Sequence, residues 1–200
     1  MAFVQPVTLR RKGVRLEPLT PAHTDGLAAA AADGQLWRLR VAGVPAPEET
    51  RTYVQTALDA MAAGQRMAFA VVDAATGRVL GTTSYYLIEP ALRRLYVGYT
   101  WYAQSVQRSH VNTTCKLLLL EHAFDTLGCH VVGWRTDIFN IASQRAIERL
   151  GAKKDGVLRG DQLRRDGTIR DTVVYSLRSG EWPESRAQLL HLLELHAPIP

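Results

Sequence analysis

Two junctions in the sequence hold residue types that could bind an anion. In the first, residues 95–101 read as a strand and Gln104-Ser105-Val106-Gln107-Arg108-Ser109-His110-Val111-Asn112-Thr113 as a polar loop. A helix follows at once, with Leu117, Leu120, Phe124 and Leu127 on one face and Gly128 as its stop. The first turn of a helix leaves its N–H donors unpaired, and the macrodipole adds partial positive charge, so a pyrophosphate fits such a junction. Arg108 adds a charge-assisted partner. In the second junction, Asp137-Ile138-Phe139-Asn140-Ile141-Ala142-Ser143 follows the next strand, with Asn140 as N-cap and Ser143 near the third helical position. Either junction alone is also what a plain helix cap looks like. Together they say more, because the strands that end at them should be sheet neighbours. One ligand lying between those strands would touch both helix starts.

Other side chains could move protons or line a groove. Glu89 ends the third strand and Asp161 lies in the loop after the sixth, each with a solvated surface role as the competing reading. Tyr85 and Tyr86 alternate across the third strand, so one faces the core and the other is free to line an acceptor groove. Cys115 and Cys129 form no C-x-x-C pair and sit in no His-rich cluster, so two reduced thiols and no metal are expected. Cys115 is a poor nucleophile candidate, since the nearest histidine, His122, stands seven residues on along the same helix.

The elements that must position these residues follow from the patterning. A strand at 14–18 leads, through Thr20-Pro21, into an Ala-rich helix. A loop at 33–46 precedes a helix at 47–63. Strands follow at 67–72, 79–88 and 94–101, then the long helix, a strand at 131–136, and a helix at 141–150. Strands at 152–160 and 168–177 turn about Asp166-Gly167, and a leucine-rich helix at 183–196 ends the chain. The order β-α-α-β-β-β-α-β-α-β-β predicts an α+β fold, with a mixed, mostly antiparallel central sheet and helices on both faces. One domain over 1–180 is expected, with a helical tail at 181–200 packed on it.

Length and charge bound the function. At 200 residues, 46% hydrophobic and 22% charged, the composition is that of a globular domain with a full core. No apolar run nears the ~20 residues of a membrane helix, and the N-terminal stretch lacks the apolar core and cleavage site of a signal peptide. A cytoplasmic chain without membrane contact is expected. Net charge is +5. The basic residues are dispersed and not interleaved with aromatics, which disfavours nucleic acid and suits a small anionic ligand.

Gly98-Tyr99-Thr100-Trp101, the loop Gln107 to Thr113, Lys116-Leu117-Leu118-Leu119-Leu120, His122-Ala123-Phe124, Leu127-Gly128, Asn140-x-x-Ser143, Ala146-Ile147-x-x-Leu150-Gly151-Ala152 and Asp166-Gly167-x-x-Arg170-Asp171 stand in a telling order. That order resembles the GNAT superfamily of acetyltransferases, most closely the ribosomal-protein N-terminal (Rim-type) branch. The resemblance spans roughly residues 10 to 180. It implies that the fourth and fifth strands splay apart. The pantetheine arm of acetyl-CoA would lie between them, with the pyrophosphate on the loop before the next helix. Carried onto this sequence, the cofactor-binding residues are Tyr99, Thr100, Trp101, Gln107, Arg108, Ser109, His110, Val111, Asn112, Thr113, Asn140 and Ser143. The sequence departs from the family pattern in its loop, where His110 and Asn112 replace glycines. Asn tolerates positive φ, so the loop can still form; His110 either contacts a phosphate or points to solvent. Val97 stands where a glutamate base is common, and Ile147 where a tyrosine acid is common.

The implied reaction moves an acetyl group to a primary amine, a protein N-terminus or a small amine, by direct attack in a ternary complex. A backbone N–H near Tyr99 to Trp101 would polarise the carbonyl, and Ser143 would approach the sulfur as the catalytic residue. The acceptor stays open, although a polycationic aminoglycoside suits a +5 chain least. Association into a homodimer is also left open. Two other classes stand beside this one. The missing glutamate and tyrosine suggest a catalytically weak acyl-CoA-binding regulatory module, and the net charge a basic nucleic-acid-binding protein.

Overall fold

In the computed structural model, which describes residues 2–195, the β-rich runs form eight strands. They are β1 (Leu9–Arg11), β2 (Val14–Pro18), β3 (Arg66–Asp73), β4 (Val79–Glu89), β5 (Arg94–Tyr102), β6 (Val131–Asp137), β7 (Lys153–Leu163) and β8 (Ile169–Arg178). One sheet holds them all, in the order β1-β2-β3-β4-β5-β6-β8-β7. Every neighbouring pair is antiparallel except β5 and β6, which run parallel. The helices are α1 (Thr24–Ala32), α2 (Thr50–Ala62), α3 (His110–Glu121), α4 (Ile141–Glu148) and α5 (Trp182–Leu195). Among the described residues no helix is long and apolar enough to cross a membrane.

Side-chain alternation splits the sheet between two helical layers. Ala68, Ala70 and Val72 of β3 meet Leu27 and Ala31 of α1 and Val54 and Ala57 of α2 on one face. On the other, Leu16, Phe69, Val71, Leu95, Val97, Val132 and Trp134 meet Leu117, Leu119 and Leu120 of α3, with Ile147 of α4 and Leu189 and Leu193 of α5. Each such fully buried aliphatic side chain contributes about 1.5–3 kcal/mol. The tail helix α5 is tied down by the Trp182–Phe124 ring stack at 5.4 Å and by Ser185 Oγ donating to Leu150 O at 2.6 Å. His196, the expected end of that helix, lies outside the described residues.

The mixed sheet and the two helical layers match the sequence pattern, with three local corrections. An extra edge strand, β1, precedes the first expected one. Lys12 (φ +46°) and Gly13 (φ +74°) make the two-residue turn that folds it back on β2. The helix expected after Thr113 starts earlier, at His110, because Ser109 caps it. Asp161 lies within β7, not in a loop.

Candidate functional site

The parallel pair β5 and β6 is joined only at Arg94↔Val131, Leu95↔Val132 and Tyr96↔Gly133. Beyond Tyr96, β5 stays with β4, while β6 stays with β8 as far as Asp137↔Thr172. The two strands, the fourth and fifth of the sequence pattern, thus part into a V. A bulge marks the β5 wall. Ser84 pairs with Gly98 and Thr82 with Trp101, so Tyr99 and Thr100 together oppose Thr83. Tyr99 takes φ +51°, and the bulge breaks the alternation of faces. Gly98 and Tyr99 both meet the Tyr86 ring: a Cβ on Gly98 would lie 2.6 Å from it, and the Tyr99 ring packs edge-on at 5.2 Å. Thr100 turns to the α3 side, 2.8 Å from Thr83 Oγ1, and accepts from Lys116 Nζ at 3.0 Å. Trp101 returns to the α1–α2 layer, edge-on to Tyr53 at 6.3 Å. The Tyr99 and Trp101 side chains therefore lie away from α3, and what they offer a ligand in the V is backbone. A bulge leaves a strand residue outside its ladder, which suits an N–H that must meet a carbonyl oxygen.

Lys116 is buried at 7% exposure, and its ammonium has no carboxylate partner among the described residues. Burial pushes it down to about 8. The neighbouring Cys115 thiol is pushed up to about 12 by burial, so it is no nucleophile at neutral pH. Cys129 is buried too, and both cysteines are free.

The start of α3 stands at the mouth of the V. Ser109 Oγ accepts from the Val111 N–H at 3.3 Å and donates to Val106 O at 2.6 Å. Arg108 takes φ +58° and is exposed, and its side chain makes no hydrogen bond or ion pair among the described residues. Gln107 Nε2 donates to Tyr102 O at 3.1 Å and so braces the loop on β5. Val111 and Thr113 are buried and Asn112 half-buried, so the polar groups this first turn leaves free are its N–H donors. His110, the half-buried first residue of α3, has its Nε2 3.1 Å from Lys12 O in the β1–β2 turn.

At the second junction Asn140 caps α4 as expected, its Oδ1 accepting from the Ser143 N–H at 3.1 Å. Asn140 Nδ2 also reaches Val41 O at 3.3 Å, which ties α4 to the α1–α2 loop. The Ser143 hydroxyl is half-buried and makes no hydrogen bond among the described residues. Just before it, Asp137 receives two hydrogen bonds from Arg164, at 2.6 and 3.2 Å. Burial works against this carboxylate's charge, but the bonds from Arg164 and the Phe139 N–H outweigh it and hold the carboxyl below the usual range. The same β7–β8 turn holds the α1–α2 loop through Arg40 on Asp166 and Thr168 and through Arg165 on Val44 O and Glu49.

A groove runs along the sheet face that α1 and α2 leave open. Tyr96, which borders it, lies over Gly133, and beside it on the same sheet face Tyr86 lies over Gly98, where a Cβ would come within 2.5 and 2.6 Å of the rings. Tyr85 points the other way and donates to Leu119 O at 2.6 Å. The groove, of about 450 Å³, is bordered by Glu89, Arg94, Tyr96, Arg135, Asp155 and Leu158 among others. The two carboxylates offered as bases are both tied to arginine: Glu89 to Arg94 at 2.8 Å and Asp161 to Arg135 at 2.7 Å. Val97 is buried under α3, so the β5 side chain that faces the groove is Tyr96. Ile147 packs into the core. Arg66, Arg135 and Arg164 come to the site from strands or turns whose local patterning carries no functional signal.

Residues 14–153 match the acetyltransferase (GNAT) domain family. A GCN5-related N-acetyltransferase from Brucella melitensis is 28% identical, covers 98% of this chain and 87% of its own, and superposes with a TM-score of 0.85. A T. thermophilus protein assigned as an acetyltransferase is 34% identical, with 95% of this chain and 98% of its own covered and a TM-score of 0.82. RimL, a ribosomal L7/L12 alpha-N-protein acetyltransferase solved with coenzyme A, shares the fold at 19% identity, with a TM-score of 0.72 over 86% of this chain and 98% of its own. No curated protein matches. On the family match and the splayed strands together, the chain belongs to the GNAT acetyltransferase family.

Proposed function

We propose that the protein transfers an acetyl group from acetyl-CoA to a primary amine by direct attack in a ternary complex. The observation that carries this reading is the V between β5 and β6 with two capped helix starts at its mouth. The residues there suit the ligand: an unpaired exposed arginine and helix N–H groups for a pyrophosphate, bulged backbone for a carbonyl, and a free hydroxyl for a sulfur. Bound acetyl-CoA supplies the activated thioester. The α3 first turn and Arg108 hold the pyrophosphate, the backbone at 99–101 donates to the carbonyl oxygen, and Ser143 donates to the departing sulfur. The amine enters over Tyr86 and Tyr96. It is protonated at neutral pH, with a pKa of about 8–10.4 for ordinary amines, and sheds its proton to water in the groove. Glu89 and Asp161 each hold an arginine through both oxygens, which favours water over either carboxylate for that step. A protein N-terminus is one such amine, by the fold-level likeness to RimL.

An acyl-CoA-binding module without turnover is favoured by the same ion pairs and by Ile147. A thermal-shift titration with acetyl-CoA, followed by coenzyme A release over a panel of amines, separates the two. Binding to the native state alone at ~100 times Kd adds about 2.7 kcal/mol, which is about 5–10 °C in Tm for a chain of this size. No shift at millimolar acetyl-CoA refutes the cofactor assignment. A shift with no thiol released over the whole panel selects the binding module.

A further inference from the structure

We infer that the acceptor carries a carboxylate beside its amine, and that Arg66 is the residue that reads it. This rests on the acetyltransferase reading above. Arg66 opens β3 and is only 8% exposed, yet it makes no ion pair among the described residues. Its Nε donates to Ser84 Oγ at 2.8 Å and its Nη2 to the Tyr53 hydroxyl at 3.4 Å. Its guanidinium carbon lies 3.9 Å from the centre of the Tyr99 ring. A guanidinium has five N–H donors, so most of the fork is unspent. Nη1 has no hydrogen-bond partner and is not among the buried unpartnered atoms, so it opens to solvent.

A mostly buried guanidinium without a counter-charge is costly, and an anionic ligand group relieves that cost. The position says which ligand. Arg66 stacks on Tyr99, the bulge residue next to the proposed site of transfer, so a group bound to it lies close to the attacking amine. The other charges on this face agree. Arg94 and Arg135 are neutralised by Glu89 and Asp161, while Arg170 donates to Thr172 and forms no ion pair among the described residues, its nearest carboxylate influence being Asp137, which Arg164 already holds. Against Arg66 and Arg170 stands Asp155 at the far rim, which accepts from Ser176. The surplus is positive, so a cationic acceptor is repelled, and a planar carboxylate matches the guanidinium fork. Free amino acids and peptides with an acidic N-terminal residue both present this group.

The test compares matched amines on the intact protein: an amino acid against its amide, and an acidic-N-terminal peptide against its amidated counterpart. Transfer kinetics and calorimetric binding to the coenzyme A-loaded protein are both read. The carboxylate member of a pair should bind about 10- to 100-fold more tightly, the range for a charged hydrogen-bonded pair. Arg66→Gln should erase that difference with acetyl-CoA affinity unchanged, and Arg66→Lys should restore only part of it. The pair that shows the effect identifies the source, amino acid or peptide. A wild-type protein that binds acetyl-CoA but prefers the amide member of both pairs, or treats the members alike, overturns this inference alone. So does Arg66→Gln retaining the full preference; should that variant not fold, the wild-type comparison and Arg66→Lys decide. A protein that binds no acetyl-CoA overturns the underlying reading and this inference with it.

Discussion

Replacing Lys116 with methionine should stabilise the protein at neutral pH. Methionine has a similar length, fills the same channel under β5, and carries no charge to desolvate. Burial brings the Lys116 ammonium from 10.5 to about 8 in the folded chain. That difference of about 2.5, at 1.36 kcal/mol for each pH unit, is about 3 kcal/mol of native-state cost at pH 7. The variant loses one hydrogen bond, Lys116 Nζ to Thr100 Oγ1, worth about 1 kcal/mol. Thr100 keeps its partner in Thr83, so no buried hydroxyl is orphaned. The net gain is about 2 kcal/mol, or about 4–8 °C in Tm. Because the folded pKa is depressed, the unfolded chain binds the extra proton, and the wild type recovers stability as pH rises from about 8 towards 10.5. The gap between variant and wild type should therefore nearly close by about pH 10. Taking the difference between the two proteins cancels the opposite trend of the buried Tyr85 and Tyr102, whose pKa values are both raised, chiefly by burial; Cys115, which feels the Lys116 charge, is raised further in the variant, which only helps to close the gap at high pH. Thermal melts of both proteins at about pH 7 and pH 10 decide the matter. A variant less stable than wild type at neutral pH, or a gap that does not change with pH, would refute the reasoning.

Arg108→Ala should weaken coenzyme A binding by about tenfold, one charge-assisted contact, and leave Tm within a degree or so because the side chain is exposed and unpaired; unchanged affinity in calorimetry would clear Arg108 of any role. Ser143→Ala should lower kcat by about tenfold or less while keeping KM for acetyl-CoA, since a thiolate leaves well unaided; a raised KM with wild-type kcat would make Ser143 a contact to the pantetheine arm instead. Asp137→Asn should cost several degrees of Tm, because it leaves the Arg164 guanidinium without its carboxylate at a side-chain exposure of 5%. The folded Asp137 carboxyl is depressed, so the wild type holds this contribution above the unfolded value of about 3.9 and loses it as pH falls further. An acid-unfolding midpoint identical in the two proteins would contradict that assignment.

Local signals were enough for most of the architecture. Period-2 runs gave the long strands, Asp166-Gly167 gave the last hairpin turn, and Asn140 gave a cap that the structure places on the Ser143 N–H. These features act over four or five residues, and the chain cannot avoid them. The short β1 is hidden in the sequence because Arg10-Arg11-Lys12 reads as surface charge; the Lys12-Gly13 pair is the turn signal available. The α3 start is ambiguous there because Ser109, Asn112 and Thr113 are all good caps, and which one caps is settled by where Val106 O lies to receive the Ser109 hydroxyl.

The sequence by itself therefore determined the strand and helix order apart from β1, the two helix starts that follow neighbouring strands, and the family to which that order belongs. Tertiary structure alone decided the chemistry of the surfaces around them. The Tyr99–Thr100 bulge moved Tyr99 onto the Tyr86 face, which no period-2 reading anticipates. The ion pairs of Glu89 with Arg94 and of Asp161 with Arg135 appear only in the folded sheet. Arg66, unremarkable in the chain, and Lys116, quoted only as the head of a leucine run, became a buried guanidinium and a buried ammonium without carboxylates among the described residues, because β3 and α3 carry them into the packed sheet. Charge pairing and desolvation depend on neighbours distant in sequence, and those neighbours exist only once the sheet has closed.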